Sequence, residues 1–198
     1  MSGPGYADPG YFEQLYARDP DPWKFATSDY ERDKYAATLA ALPERRFTSG
    51  FEIGCSIGVL TKQLSERCDS LLGVDVSDIA LDQARERCPG VKFENMDLRS
   101  TWPEGQFDLI LFSEVLYYLG LDGIRRVAEH TVASLAPGGV VALVNWFGPT
   151  DGACTGDEAA ELFIAASASR LSPTTQVRAE KYRLDVLLAD RSTAHPTT

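Results

Sequence analysis

The stretch FEIGCSIGVL, residues 51–60, contains the pattern that decides the fold. An apolar lead-in is followed by Gly54, Gly58 and a helix-like run, which predicts a strand, a glycine loop and a helix. A dinucleotide fingerprint would have its middle glycine where this chain has Ser56. Glu52 would also repel a pyrophosphate, whereas it suits a positively charged ligand group. The loop therefore predicts a nucleoside-binding turn that differs from a dinucleotide site.

Similar apolar runs recur along the chain, nearly continuous rather than alternating, which is typical of strands buried on both faces. The five runs lie at residues 49–53, 71–76, 91–94, 107–112 and 140–145. Helical patterns lie between them: the first starts near Ser56 and includes Cys68, and a later one includes Leu135 and ends at 136–139. This alternation predicts a doubly wound, mostly parallel α/β sheet of the Rossmann-like type.

The ends of the chain add a helical part and a closing part. Helices are predicted at residues 10–19, 29–41 and 157–169, and two closing strands at 175–181 and 183–190. The closing strands are separated by a few residues, which favours an antiparallel hairpin at the edge of a seven-stranded sheet. The tail 191–198 is expected to be frayed.

The length of 198 residues suits one domain. We divide it into an N-terminal helical cap (1–45), a core that binds the ligand (48–145) and a substrate-side loop, helix and hairpin (146–190). The glycines and proline within 147–158 suggest a mobile loop that closes over a substrate.

Acidic residues lie at the end of the second predicted strand and just after the third. Asp75 lies 21 positions after Gly54 (75 − 54), where a carboxylate accepts hydrogen bonds from ribose hydroxyls. Met96 is placed to lie on an adenine ring, and Asp97 to accept its exocyclic N–H. Alternatives remain for both, namely a core position for Met96 and a helix or turn cap for Asp97. Together with Glu52, these strand-end residues predict an adenosine site.

Composition narrows the function classes further. The formal net charge of −10 argues against a nucleic-acid binder, which normally has a basic face. The four cysteines form no C-x-x-C pair and are distant from both histidines, so we expect no metal and a reduced, cytoplasmic protein. No apolar run approaches the roughly 20 residues of a membrane helix, and the N-terminus has no signal-peptide pattern.

These motifs together resemble the class I S-adenosylmethionine-dependent methyltransferases. FEIGCSIG resembles their first motif, GVDVS the ribose-binding motif, ENMDLR the adenine motif, and FDLILFSEVLYYL and LAPGGVVALVN the fourth and fifth strands. The segment LYARDPDPWKFATSDYERDKY further resembles the nodulation N-methyltransferases of the NodS type, which methylate the amino group of a glucosamine-containing oligosaccharide. Ser56 departs from the glycine that many members carry.

The resemblance implies S-adenosyl-L-methionine as cofactor and S-adenosyl-L-homocysteine as product. It implies that the second helix covers the cofactor, with Trp23, Tyr30 and Arg32 near its methionine end. A packing role for Trp23 and an exposed helix charge for Arg32 are the alternatives. The expected cofactor-binding residues are Trp23, Tyr30, Arg32, Glu52, Gly54, Cys55, Ser56, Gly58, Asp75, Val76, Met96, Asp97, Leu98, Ser113, Glu114 and Val115.

Methyl transfer to an amine requires a neutral nucleophile held in line with the methyl group. A nearby side chain can accept the proton of the amine or orient it, and the candidates are Glu114, Tyr117 and Asn145. They follow the fourth and fifth strands, where ligands enter such sheets. Glu114 as a helix cap and Tyr117 as a core aromatic are alternatives.

The predicted function is N-methylation of a small molecule by a monomer or homodimer. An O- or C-methyltransferase and an inactive cofactor-binding protein remain as alternatives. A nicotinamide-dependent dehydrogenase is disfavoured by Glu52 and by the missing glycine.

Overall fold

The computed structural model describes residues 8–190. Its centre is one seven-stranded sheet of order β3-β2-β1-β4-β5-β7-β6. The strands are β1 (Phe47–Ile53), β2 (Cys68–Asp75), β3 (Lys92–Asn95), β4 (Phe107–Ser113), β5 (Leu135–Trp146), β6 (Leu171–Arg178) and β7 (Tyr182–Ala189). The first five are parallel, and β7 runs antiparallel to both β5 and β6. The predicted seven-stranded, mostly parallel sheet with an antiparallel closing hairpin is therefore confirmed.

Helices cover the two faces of this sheet. They are α1 (Pro9–Arg18), α2 (Asp29–Ala41), α3 (Val59–Ser65), α4 (Asp78–Arg87), α5 (Gly120–Ser134) and α6 (Gly156–Ser167). Side chains that accept the first free N–H groups explain several of their starts: Ser28 caps α2, Ser77 caps α4, and Thr155 forms a capping box with Glu158 at α6.

The central strand β4 shows why the apolar runs are continuous. Leu109 and Leu111 pack into the core on one face of the sheet, and Ile110 and Phe112 into the core on the other. All four side chains are fully buried, because successive residues of a strand point to opposite faces and both faces are covered.

Several element boundaries differ from the prediction. The first closing strand, predicted at 175–181, is β6 at Leu171–Arg178, and two helix ends were placed wrongly. Cys68 begins β2 instead of ending the first helix, which starts at Val59 and not near Ser56 because Ser56 has a left-handed backbone with φ 49°. Leu135 begins β5 instead of ending α5, since it pairs with Phe107 in the sheet ahead of a register shift. Helical spacing alone does not reveal such pairings.

The order of the strands positions the site. The chain moves outward in one direction from β1 to β3 and then in the other direction from β4, so the carboxyl ends of β1 and β4 flank a topological switch point. Ligands bind in the crevice at such a point in open α/β sheets.

Other expectations have a narrower outcome. The tail 191–198 and residues 1–7 lie outside the described residues. Among residues 8–190, no helix is long and apolar enough to cross a membrane. In the same range, no group of three or more His, Cys, Asp or Glu side chains is arranged to hold a metal. The division into cap, core and closing part stays a prediction.

Candidate cofactor and acceptor site

A cavity of about 450 Å³ lies at the carboxyl ends of the parallel strands, beneath α1 and α2. This volume is in the range of small-molecule sites. Many of the residues expected from the sequence line it: Trp23, Tyr30, Gly54, Ser56, Asp75, Val76, Met96, Asp97, Leu98, Ser113, Glu114 and Val115. The structure therefore brings together residues from the carboxyl ends of β1, β2, β3 and β4.

The loop after β1 depends on Gly54. Its φ is +75°, and a Cβ atom there would lie 2.2 Å from Val115 Cγ1 and 2.9 Å from the Ser113 carbonyl oxygen. Glycine is thus required both by the left-handed backbone and by the close approach of the β4 end. Ser56 shares the left-handed conformation, which is uncommon for a residue with a side chain.

Asp75 joins this loop to the second strand end. Its carboxylate accepts the Ser56 N–H at 3.0 Å and the Ser77 N–H at 3.1 Å. Burial raises the pKa of Asp75, while these backbone hydrogen bonds partly oppose the rise. A carboxylate has more acceptor sites than these two donors use, so Asp75 retains capacity for ribose hydroxyls.

Asp97 forms the turn cap that was one of the two roles considered for it, and its contact with adenine stays a prediction. It caps the turn after β3 by accepting the Arg99 N–H at 3.0 Å, and it pairs with the Arg99 guanidinium at 2.8 Å. The guanidinium holds the pKa of Asp97 below its usual range. The residue also lines the cavity, next to Met96, whose N–H donates to the Asp75 carbonyl.

Glu52 lies behind the loop and not in the main cavity. It is 1% exposed, and its carboxyl contacts the Thr61 side chain. Together with Cys55 it lines a separate void of about 30 Å³, enough for one water molecule. This void shares Gly54, Ser56 and Glu114 with the main cavity. Burial raises the pKa of Glu52 to about 8.

Three other expected residues are outside the cavity. Arg32 projects from the exposed side of α2 and pairs with Asp29 and Asp33. Gly58 has φ +78° and packs against Ala84 of α4. Its lack of a side chain allows α4 to pack closely against the loop. Asn145 is fully buried, with no hydrogen-bond partner for its amide among residues 8–190, and it does not line the cavity.

The end of the cavity between α2 and the turn after β4, which we call the acceptor end, has two carboxylates in its wall, and one ammonium group lies against them. Glu31 and Glu114 line this end, and Lys34 Nζ lies 2.8 Å from Glu31 Oε2 and 2.9 Å from Glu114 Oε1. The sequence did not single out Glu31 or Lys34, because an i,i+3 charge pair on a helix is more often solvent-exposed. Here the Lys34 side chain is 1% exposed and that of Glu31 is 8% exposed.

Glu114 itself has a left-handed backbone, with φ 57°, directly after β4. Its N–H donates to the Val144 carbonyl at 2.8 Å, which fixes the turn against β5. Non-glycine residues in this conformation concentrate at functional sites. Burial raises the pKa of Glu114, and the Lys34 ammonium opposes that rise.

Aromatic side chains surround these charges. Tyr117 is 4% exposed and lines the cavity beside Tyr118, and burial raises the pKa of both, that of Tyr118 to about 12. Tyr30 packs edge-to-face on Trp146, and its buried hydroxyl has no hydrogen-bond partner among the described residues. The wall therefore offers apolar ring surface with an unused polar atom.

Helix α1 contacts the loops after β1 and β2 and also the aromatic wall at the acceptor end. The sequence did not indicate these contacts. Tyr16 hydrogen-bonds the Ser56 hydroxyl, and the Ser77 hydroxyl donates to Glu13. On the other side, Phe12 packs edge-to-face on Tyr118. Two residues of α1 thus contact the loops after β1 and β2, and a third contacts the acceptor wall.

The loop between β5 and α6 lies over the same wall. The Ala153 N–H donates to the Tyr117 carbonyl at 2.8 Å, and Asp151 accepts the Tyr11 hydroxyl at 2.7 Å. Thr150 lines the cavity. The loop is therefore held in place from α1 and from the turn after β4, as a cover for the acceptor end.

The sheet order and the antiparallel closing hairpin, with a cavity at the carboxyl ends of the parallel strands, are those of the Rossmann-like methyltransferase fold. The chain belongs to the Nodulation protein S (NodS) family, whose sequence profile matches residues 12–172. The recognition made from the motifs is therefore confirmed.

Individual relatives agree with this assignment. Nodulation protein S of Rhizobium tropici is 33% identical over 124 residues, 60% of this chain and 52% of that protein. A trans-aconitate 2-methyltransferase of Methylobacterium nodulans is 36% identical over 116 residues, 57% of this chain and 44% of that protein. The matched region of this chain thus spans about half the length of these curated relatives.

The fold is shared with a solved structure of N-methyltransferase NodS from Bradyrhizobium japonicum WM9 in complex with S-adenosyl-L-homocysteine. The two superpose with a TM-score of 0.75 at 24% sequence identity, over 89% of this chain and 97% of that chain.

Proposed function

We propose that the protein transfers a methyl group from S-adenosyl-L-methionine to the amino group of a small molecule. The observation that carries the choice of acceptor is the charge at the acceptor end, where Glu31 and Glu114 face a single ammonium group, that of Lys34. One further positive charge would balance these two carboxylates, and a protonated amine brings it.

The cofactor supplies an electrophilic methyl group on a sulfonium. Asp75 is suited to accept hydrogen bonds from ribose hydroxyls, and Met96 and Asp97 are suited to the adenine. Glu52 lies in the separate void behind Gly54, next to the loop that is suited to the amino-acid end of the cofactor.

Glu114 is the proposed proton acceptor. The protonated amine of the substrate pairs with the Glu114 carboxylate and transfers one proton to that carboxylate. The amine is then neutral and can act as the nucleophile. The raised pKa of Glu114 brings this carboxylate closer to the pKa of an amine than an exposed glutamate would be. Tyr30 and Tyr117 hold the acceptor against their rings, and the unpartnered Tyr30 hydroxyl is available to its polar groups.

A second candidate is O- or C-methylation of an acidic small molecule, because trans-aconitate 2-methyltransferases are among the relatives. The acceptor wall of this chain disfavours it, since an anionic acceptor would face Glu31 and Glu114. A protein that binds the cofactor without turnover is the non-enzymatic alternative. We further propose a cytoplasmic monomer or homodimer.

The first test is calorimetric titration with S-adenosyl-L-methionine, S-adenosyl-L-homocysteine and NAD. We expect both adenosyl ligands to bind, and binding of NAD alone would overturn the proposal. The second test is mass-spectrometric detection of an added methyl on glucosamine, on glucosamine oligosaccharides and on trans-aconitate. Methylation of trans-aconitate with no methylation of any amine would replace the proposed function with the second candidate.

Glu114→Gln separates the acceptor role from cofactor binding. The variant is expected to lose about 100-fold or more of its turnover with amines, in the range typical of general bases. Its affinity for S-adenosyl-L-homocysteine should change much less. Glu129→Gln on the exposed face of α5 is the matched control, and its activity should equal that of the unmodified protein.

A further inference from the structure

We propose that Lys34 is a positioning residue that keeps the Glu114 carboxylate oriented and ionised for the amine acceptor. The proposal rests on the proposed function for its catalytic meaning. The structural part of the proposal is that the buried Lys34 ammonium of α2 controls the position and ionisation of the Glu114 carboxylate at the end of β4. This part can be tested without a methyl acceptor.

The contact geometry leaves Lys34 little freedom. Its Nζ donates to Glu31 Oε1 at 3.0 Å and lies 2.9 Å from Glu114 Oε1. The ammonium also lies 5.4 Å from the ring centre of Tyr30 and 5.6 Å from that of Tyr35. Aromatic faces at this distance attract a cation, so the rings and the carboxylates hold Lys34 in one place.

Lys34 reaches a carboxylate whose backbone is already fixed. Glu114 stands in the left-handed region after β4, and its N–H is bonded to the Val144 carbonyl. The backbone turn thus brings the side chain to the cavity wall, and Lys34 sets where its carboxylate ends. A buried carboxylate without such a partner takes up a proton instead.

Glu31 has the opposite influence on Glu114. It adds a second negative charge beside the same ammonium group, and this charge raises the pKa of Glu114 while Lys34 lowers it. The other titratable or charged groups that surround this pair are Tyr30 and Tyr35 of α2, Glu52 of β1, Tyr117 and Tyr118 after β4, Lys181 in the β6–β7 turn, and Tyr182 of β7. None of these supplies a second cation in contact with Glu114 among the described residues.

This arrangement predicts two shifts of opposite sign. Lys34→Met keeps an unbranched chain of similar length but removes the charge, so the protonation midpoint of Glu114 should rise by about one pH unit or more. Glu31→Gln removes the competing negative charge, so the midpoint of Glu114 should fall. The double variant Lys34→Met, Glu31→Gln should return the midpoint toward that of the unmodified protein.

The measurement is a carbon-13 NMR titration of the protein labelled at glutamate side-chain carboxyls. The Glu114 signal is identified by its loss in Glu114→Gln. Lys62→Met, on the exposed face of α3, is the control for removal of a lysine and should leave the midpoint unchanged. Because the titration uses no acceptor, it gives its answer even where no amine is methylated and the proposed function has failed.

Kinetics then test the catalytic meaning. With glucosamine as the acceptor, the acid limb of the pH profile of kcat/KM should move up in Lys34→Met and down in Glu31→Gln. The proposal would be overturned if the Glu114 midpoint rose in both variants, fell in both, or stayed unchanged in both. The same three outcomes for the acid limb would overturn its catalytic meaning. If Lys34→Met does not fold, Lys34→Gln takes its place, because it also removes the charge, and the same rise of the Glu114 midpoint is expected.

Discussion

The backbone N–H of Ser56 donates a 3.0 Å hydrogen bond to Asp75 Oδ2, which ties the loop after β1 to the acid at the end of β2. Asp75 therefore shapes the loop as well as facing the cavity. Any loss of its carboxylate removes a loop support and a proposed ribose contact together.

Asp75→Ala should weaken binding of S-adenosyl-L-homocysteine by about 10- to 100-fold, because hydrogen bonds to a charged group contribute about 1.5–3 kcal/mol. Isothermal titration calorimetry measures the change. Asp82→Ala removes an exposed acid from α4 and should leave the affinity unchanged. Equal affinities for Asp75→Ala and the unmodified protein would show that the ribose assignment is wrong.

Gly54→Ala tests the close approach of the loop to β4. A left-handed alanine costs about 1–2 kcal/mol, and the clash with Val115 and Ser113 should add about 1–3 kcal/mol to the loss in unfolding free energy. Gly138→Ala is the matched control, since Gly138 has φ +70° but no atom within 4 Å of an added Cβ. Urea denaturation of both variants separates strain from clash, and equal losses would contradict the clash.

Glu52 should make stability depend on pH. Burial raises its pKa from 4.5 to about 8, so the folded protein keeps a proton that the unfolded chain releases between these values. The free energy of unfolding therefore falls as pH rises through this window, by at most about 1.4 kcal/mol per pH unit from this group.

Glu52→Gln removes that dependence. The variant should match the unmodified protein near pH 4.5 and exceed its unfolding free energy at pH 8, as measured by urea denaturation at several pH values. Glu44→Gln, an exposed control before β1, should follow the unmodified protein throughout. Parallel curves for Glu52→Gln and the unmodified protein would mean that Glu52 is ionised in the folded state.

Arg32→Ala tests whether Arg32 contacts the cofactor, as the family resemblance implies, or is only an exposed charge of α2, as the structure shows. Arg32 is exposed and bonded to Asp29 and Asp33, so its removal should leave the affinity for S-adenosyl-L-homocysteine within about twofold, a change under 0.5 kcal/mol. A tenfold loss in a calorimetric titration would mean that the side chain turns toward the cofactor when it binds.

Much of the site followed from sequence spacing. Gly54, Asp75 and Asp97 each lie at or just after the carboxyl end of a strand. Parallel strands bring these ends to one edge, so a correct assignment of strands was enough to place the three residues together. Arg32 and Asn145 were harder to place, because which face of α2 meets the cavity and which side of β5 faces it depend on packing between distant segments.

The sequence by itself determined the fold class and the family, because near-continuous apolar strands, helical intervals and the FEIGCSIG loop are local patterns that permit few topologies. The tertiary structure alone decided the charges of the acceptor wall. Lys34 and Glu114 are 80 positions apart (114 − 34), and only the packing of α2 over the end of β4 makes them a partly buried ion pair. Local patterns do not encode such a contact, since its energy depends on desolvation by the whole surrounding wall.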